Sequence, residues 1–138
     1  AVDAVGSVLF GGPAQQRKIP GHGAGVPSNF LQEDKIFDVV HVTDAQCVEG
    51  CHLLLEKEAI LAGGSSGAIV SAYSQYKDRL PTDAVSVMLF PDRGERYLDT
   101  IYNPQWVEEN IEMNARPNEP FHNVLFDNKI MIKEHASV

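Results

Sequence analysis

The sequence predicts an α/β fold of three layers with a mostly parallel sheet. Two short apolar runs, residues 36–42 (IFDVVHV) and 84–90 (AVSVMLF), are each followed by a polar segment that opens a helix. Strands alternating with helices in this way make parallel sheets. Both runs are rich in β-branched and apolar residues, as expected of strands covered on both faces.

The elements follow in order. Residues 1–5 (AVDAV) read as the interior of an opening strand, so the sequence is expected to start inside a fold. Gly11, Gly12 and Pro13 end that strand and begin a loop over 11–29, which holds Pro20, Gly21, Gly23, Gly25 and Pro27. A loop this long within a domain is either functional or disordered. Ser28 and Asn29 are placed to cap a short helix over 30–33, and residues 36–42 form a buried strand. Thr43 and Gln46 have capping-box spacing and open a helix over 44–58. Its apolar face carries Cys47, Cys51, Leu54 and Leu55. The run 60–62 leads into Gly63-Gly64-Ser65-Ser66-Gly67 and a helix over 66–76. Pro81-Thr82-Asp83 breaks the chain before the second buried strand, 84–90. A helix from Glu95 through Tyr102 follows, then a short one opened by Asn103-Pro104 that carries Trp106, Val107 and Ile111. The pattern fades after Asn114. Pro117 and Pro120 mark a linker, and 124–133 reads as a small hairpin turning at Asp127-Asn128. The expected division is a domain over 1–112 and a C-terminal extension over 113–138.

Composition narrows the function. The chain is 43% apolar and 22% charged, ordinary for one soluble globular domain. It carries 11 basic and 19 acidic residues, a net charge of −8, with no basic run. Nucleic acid is therefore not an expected partner, because tracking phosphates needs clustered Lys and Arg. No apolar stretch approaches the roughly eighteen residues of a membrane span, and no signal-peptide pattern opens the sequence. Cys47 and Cys51 lie four apart, on one helical face, and read as core residues. A metal site is not expected, since no second Cys/His cluster exists, and a disulfide across one helical turn would be strained. A reducing, cytoplasmic compartment is expected.

Ligands of parallel sheets sit at the carboxyl ends of the strands, which draws attention to the loops after Val42 and Phe90. Three segments stand out. In residues 63–68 (GGSSGA), small residues let a ligand approach a helix N-terminus, although Ser65 capping the helix would explain the same letters. Residues 90–98 (FPDRGERYL) follow a predicted strand, and Asp92 there would equally serve as a helix cap. Residues 19–25 (IPGHGAG) hold His22, either a proton-transfer group or an exposed loop histidine.

In this order and spacing the three segments resemble the C-terminal half of the fold-type-II pyridoxal-phosphate (PLP) enzymes, the cysteine synthase and cystathionine β-synthase family. The family pattern EGILAGGSSGA is matched by 58–68, with Ala59 in place of glycine, and LPDSGERYL by 90–98, with Arg93 in place of serine. The likeness covers residues 1–112. With the opening 3–12 (DAVGSVLFGG), it is greatest to the branch that makes 2,3-diaminopropionate for siderophores and peptide antibiotics. That branch joins O-phosphoserine to the amino group of glutamate.

The resemblance implies that the chain is part of the large C-terminal domain of such an enzyme. It implies that Ser65 meets the pyridine nitrogen of PLP, with Pro91 and Asp92 lining that side of the cofactor. Gly21, His22 and Gly23 would lie at the substrate cleft, although the family usually has an aliphatic residue at the position of His22. The family's Schiff-base lysine and its phosphate loop belong to a segment preceding these motifs. Lys77-Asp78-Arg79 matches the lysine motif in letters but not in place, and reads as a surface run. No catalytic residue is therefore expected in this chain, which alone would be inactive. Its expected partners are small amino-acid substrates, the missing N-terminal half of the enzyme and a second copy, most simply in a dimer. A cysteine synthase or cystathionine β-synthase type of transferase is an alternative, and a non-catalytic binding module is another.

Overall fold

A computed structural model describes residues 1–113. Strand β1 (Val2–Ala4) pairs in parallel with β2 (Val40–Val42), in the register Val2 to Val40, Asp3 to His41 and Ala4 to Val42. Helix α1 (Asp44–Glu58) follows β2 directly, and α2 (Gly64–Tyr76) and α3 (Pro104–Asn110) complete the helices of the described residues. The parallel pairing and the strand-to-helix succession are those the sequence predicts, with two strands in the sheet among the described residues.

Helix α1 starts and stops for legible reasons. Thr43 Oγ1 accepts from the Gln46 N–H at 3.2 Å, and Gln46 Oε1 accepts from the Thr43 N–H at 2.9 Å, closing the capping box. The helix ends at Ala59, in the left-handed region at φ 56°, with its N–H on the Leu55 carbonyl. That is the position of a C-terminal glycine, here filled by a residue with a Cβ. Helix α3 is capped by Asn103, whose side chain accepts from the Gln105 and Trp106 N–H groups, with Pro104 in the first helical position.

The helices α1 and α2 cross at close range. A Cβ on Gly50 would collide with the Gly67 carbonyl, and one on Gly67 with the Cys47 carbonyl. Ser71 Oγ donates across the same seam to the Gln46 carbonyl at 2.6 Å. Around this crossing lies a core of Ile19, Val42, Cys47, Cys51, Ala68 and Ile101, all buried. A second cluster joins Leu53, Leu54, Ala62 and Val70. Helix α2 also packs on both strands.

Several expected elements differ. The strand predicted over 36–42 is confined to Val40–Val42, with Phe37 98% exposed and His41 exposed. The predicted strand over 84–90 forms no ladder, and Val85, Val87 and Leu89 are 91%, 90% and 76% exposed. Apolar β-branched content marks a segment fit for a strand, but the hydrogen bonds come from a neighbour. Neither 36–39 nor 84–90 has a strand neighbour among the described residues. The helix expected over 30–33 is replaced by a turn, in which Ser28 accepts from Phe30 and Leu31, and by a 3-10 turn at Glu33–Lys35. Phe30 is 95% exposed, so no apolar face anchors a helix there. The helix expected from Glu95 to Tyr102 is a 3-10 turn at Gly94–Tyr97 followed by further turns, which bury Ile101. Leu55, expected on the buried face of α1, is 39% exposed. The linker and hairpin expected beyond Asn114 lie outside the described residues.

Candidate functional site

The three segments singled out in the sequence meet at the first turn of α2. Residues 90–98 run along the approach to that helix. Gly63 N–H donates to the Asp92 carbonyl at 3.2 Å, Gly94 N–H to the Leu61 carbonyl at 2.9 Å, and Ala62 bridges Arg93 in antiparallel fashion. The carboxylate of Asp92 occupies the space where a side chain on Gly63 would lie. The 19–25 loop comes from the other direction. Ile19, 3% exposed, fills the space above Gly64. Gly21, at φ 94°, faces Ser65: a Cβ there would lie 3.6 Å from Ser65 Oγ.

The helix begins earlier than the sequence suggested. Gly63 is its N-cap, and Ser65 stands in the first turn. Ser65 therefore does not cap the helix. It is 8% exposed, and no side chain of the described residues is bonded to its hydroxyl. The first turn is closed instead by the Gly63 carbonyl, which accepts from Ser66 and Gly67.

Asp92 is not a helix cap either. The 3-10 turn after it has Arg93 at the cap position and no side-chain cap. Oδ2 of Asp92 accepts from the Tyr97 hydroxyl at 2.6 Å, while Oδ1 is buried without a partner. That hydrogen bond is the main cause of the raised pKa of Tyr97. Pro91 is exposed. Arg93 pairs with Glu95 at 3.1 Å on the surface.

His22 is not the exposed loop histidine that the sequence allows. It is half-buried, with Nε2 3.3 Å from Cys47 Sγ and Nδ1 buried without a partner. Burial holds its pKa below the usual imidazole value, against the opposing charge of Asp44. Cys47 and Cys51 are core residues, as expected, and both are fully buried. Burial pushes the Cys47 thiol far up and the Cys51 thiol to about 11, so both remain protonated. Cys51 donates to the Gly63 carbonyl at 3.3 Å. Lys77–Arg79 form a 3-10 turn with no buried residue, and Arg79 lies 3.8 Å from Asp38.

Tyr97 and Tyr102 are the residues the sequence did not single out. Tyr102 accepts from the Ala62 N–H at 3.1 Å and donates to the Ala62 carbonyl at 2.7 Å, fixing the chain before α2. Burial raises its hydroxyl to about 12. Tyr97 lies inside the 90–98 motif, but Tyr102 carries no signal in the sequence. A separate cleft of about 450 Å³, lined by Arg17, Thr43, Asp44 and Glu49 among others, opens at the carboxyl end of β2 and does not include Ser65.

No family model matches the chain. It is 47% identical over 120 residues to an N-(2-amino-2-carboxyethyl)-L-glutamate synthase of Cupriavidus metallidurans, a match covering 85% of this chain and 35% of that protein. It is 50% identical over 107 residues to the protein of the same name from Ralstonia nicotianae, covering 78% and 32%. Among solved structures, an O-acetylserine-dependent cystathionine β-synthase from Helicobacter pylori matches with TM-score 0.66 and 30% identity, over 72% of this chain and 32% of that one. The chain belongs to the cysteine synthase and cystathionine β-synthase family. An O-ureido-L-serine synthase shares the fold, with TM-score 0.67 at 23% identity, over 83% of this chain and 34% of that one. The chain spans about a third of the length of the curated relatives it matches. Enzymes of this family depend on PLP, and the arrangement at α2 fits a ring-bearing cofactor. The hydroxyl of Ser65, to which no side chain of the described residues is bonded, faces Gly21, where a Cβ would come within 3.6 Å of it.

Proposed function

We propose that this chain supplies one wall of the active site of a PLP-dependent β-replacement enzyme. The reaction joins O-phosphoserine to the amino group of glutamate, on the way to 2,3-diaminopropionate for a siderophore or peptide antibiotic. The observation that carries this reading is the meeting of residues 19–25, 63–68 and 90–98 at Ser65, whose hydroxyl is bonded to no side chain of the described residues. The names of the two glutamate synthases support the substrates.

When bound, PLP supplies the electron sink that lets a group leave the β-carbon of an amino acid. The residues of this chain set how strong that sink is. Ser65 offers a neutral hydroxyl to the pyridine nitrogen, where a carboxylate would hold a proton on it. A weaker sink favours departure of a β-substituent over transamination. Asp92, tied to Tyr97 and packed against Gly63, lines the ring-nitrogen side of the cofactor with Pro91. Gly21 leaves the cleft mouth open for an amino-acid substrate, beside His22, while the space at Gly23 is taken by Arg17, Ala4 and Ser7.

The lysine and phosphate loop that hold the cofactor belong to the part of the family fold that these 138 residues do not match. The chain alone is therefore inactive, and residues 1–112 act in a cytoplasmic, dimeric assembly with that N-terminal half. Residues 113–138 form an extension to this domain. The kinship to a cystathionine β-synthase supports a second reading, in which a thiol replaces glutamate as the nucleophile. A substrate panel on the longer protein separates the two.

The test is Ser65→Asp in a protein that carries these residues together with the lysine. The cofactor's visible absorption should shift, and β-replacement should fall, because a carboxylate would hold a proton on the pyridine nitrogen and strengthen the sink. Unchanged spectra and rates would remove Ser65 from the site.

A further inference from the structure

The proposed site depends on a loop that no regular structure holds. Residues 5–32 contain neither helix nor strand, yet Gly21 must stay opposite Ser65. The loop is tied at a few points. Ala24 N–H donates to Ser7 Oγ at 3.0 Å, and the Ala24 carbonyl accepts from Val8 at 2.9 Å. Arg17 donates to the His22 carbonyl at 3.0 Å. Ties to α1 lie beside these: the Lys18 and Ile19 N–H groups donate to Asp44 at 2.6 and 3.4 Å, and His22 Nε2 lies 3.3 Å from Cys47 Sγ. The backbone is shaped for it. Gly21 and Gly23, on either side of His22, have φ of 94° and 71°, a conformation open to glycine and costly for other residues. The loop thereby turns the imidazole inward.

We infer that His22 is a positioning residue: by accepting a hydrogen bond from the Cys47 thiol at Nε2, it latches the 20–25 loop to α1 and keeps Gly21 opposite Ser65. The inference rests on the reading of Ser65 as a cofactor-side residue only for its consequence, since the latch itself is a property of the chain. The latch is neither of the two roles the sequence left for His22. A proton-transfer group needs a nitrogen free to meet the substrate. Here one nitrogen is taken by Cys47 and the other is buried. The thiol stays protonated at ordinary pH and can donate to an Nε2 that carries no proton. The charged groups around the ring are Asp44, Arg17 and Asp3. Protonation of His22 turns the acceptor into a donor and opens the latch.

The test is amide hydrogen exchange in the 138-residue chain, read by NMR at Gly23 and Ala24. His22→Leu and Cys47→Ala should each speed exchange there about tenfold, the effect of one buried hydrogen bond. The double variant should add nothing to the larger single effect, because both remove the same bond. His22→Gln, which keeps an acceptor near Nε2, should restore most of the protection. In the wild type, protection at Ala24 should fall as pH drops through the histidine's titration, and in His22→Leu it should not. The nitrogen-15 shifts of His22 should show Nε2 unprotonated, and this holds even if a cysteine variant fails to fold. An Nε2–H tautomer, additive single effects or an unmoved loop in His22→Leu would each overturn the latch. None of these readouts involves PLP, so a failed latch and a failed cofactor site are told apart by the Ser65→Asp spectrum.

Discussion

Gly67 offers a sharp test of what the glycines of the GGSSGA motif do. A Cβ at Gly67 would lie 2.6 Å from Cys51 Sγ and 2.8 Å from the Cys51 nitrogen, and closer still to the Cys47 carbonyl oxygen. Two of these three atoms are backbone of α1 and cannot swing away, so Gly67→Ala must push α1 and α2 apart by roughly 1 Å to restore ordinary contact distances. Overpacking of this kind costs about 1–3 kcal/mol or more. Alanine returns up to about 1 kcal/mol through its better helix propensity. A net loss of about 2 kcal/mol lowers the melting temperature of a domain this size by roughly 8 °C. Gly25→Ala is the control. Nothing lies within 4 Å of a Cβ there, and its φ is not in the left-handed region. That variant should be neutral or gain about 0.5 kcal/mol by restricting the unfolded chain. Thermal melts of both, followed by circular dichroism, decide the matter. If Gly67→Ala melts within about 2 °C of Gly25→Ala, the close helix crossing is not the reason for the glycine.

Three further outcomes follow from the geometry. Ala59→Gly should stabilise the chain by about 1 kcal/mol, since a left-handed residue with a Cβ ends α1, and a melting temperature below wild type would refute the C-cap account. Tyr97→Phe should destabilise by roughly 1.5–3 kcal/mol, because it strips the partly buried Asp92 carboxylate of its partner, and denaturant titration will show no change if that bond is idle. Below the unfolded histidine pKa of 6.5, the unfolded chain binds a proton at His22 that the folded chain resists, so this contribution to stability is complete above that pH and is lost as pH falls. His22→Leu should flatten the slope of melting temperature against pH between roughly 6.5 and 5, and an unchanged slope would place the acid sensitivity elsewhere.

The parts of the fold legible in the sequence are those whose causes are local. Thr43 and Gln46 sit three apart and define the start of α1, and Asn103-Pro104 does the same for α3. The strands were legible only as candidates. Residues 84–90 have the composition of a buried strand, yet Val85, Val87 and Leu89 stand exposed, because pairing is supplied by chain far away in sequence or by another chain. The site shows the same division. That the 19–25, 63–68 and 90–98 segments belong together was legible as an ordered set of motifs. That Ser65 lies within the first turn, and does not cap it, depends on Gly63 taking the N-cap place against Asp92, a contact between residues 29 apart. The inward turn of His22 depends on the backbone at two glycines and on a thiol 25 residues away, and no local pattern reports either.

The first turn of α2 also shows how a short motif can divide its work. Gly63 is open to the Asp92 carboxylate, Gly64 to Ile19, and Gly67 to the backbone of α1. Each of these glycines admits a different neighbouring segment, so together they bring the pieces of the site to one place. They are explained by protein packing without any ligand. The two serines between them are not. Ser66 is fully buried and its hydroxyl has no partner, so nothing from outside can reach it. Ser65 is 8% exposed and stands opposite Gly21, where a Cβ would come within 3.6 Å of its hydroxyl. Packing thus accounts for the three glycines, and of the two serines Ser65 is the one a ligand could reach.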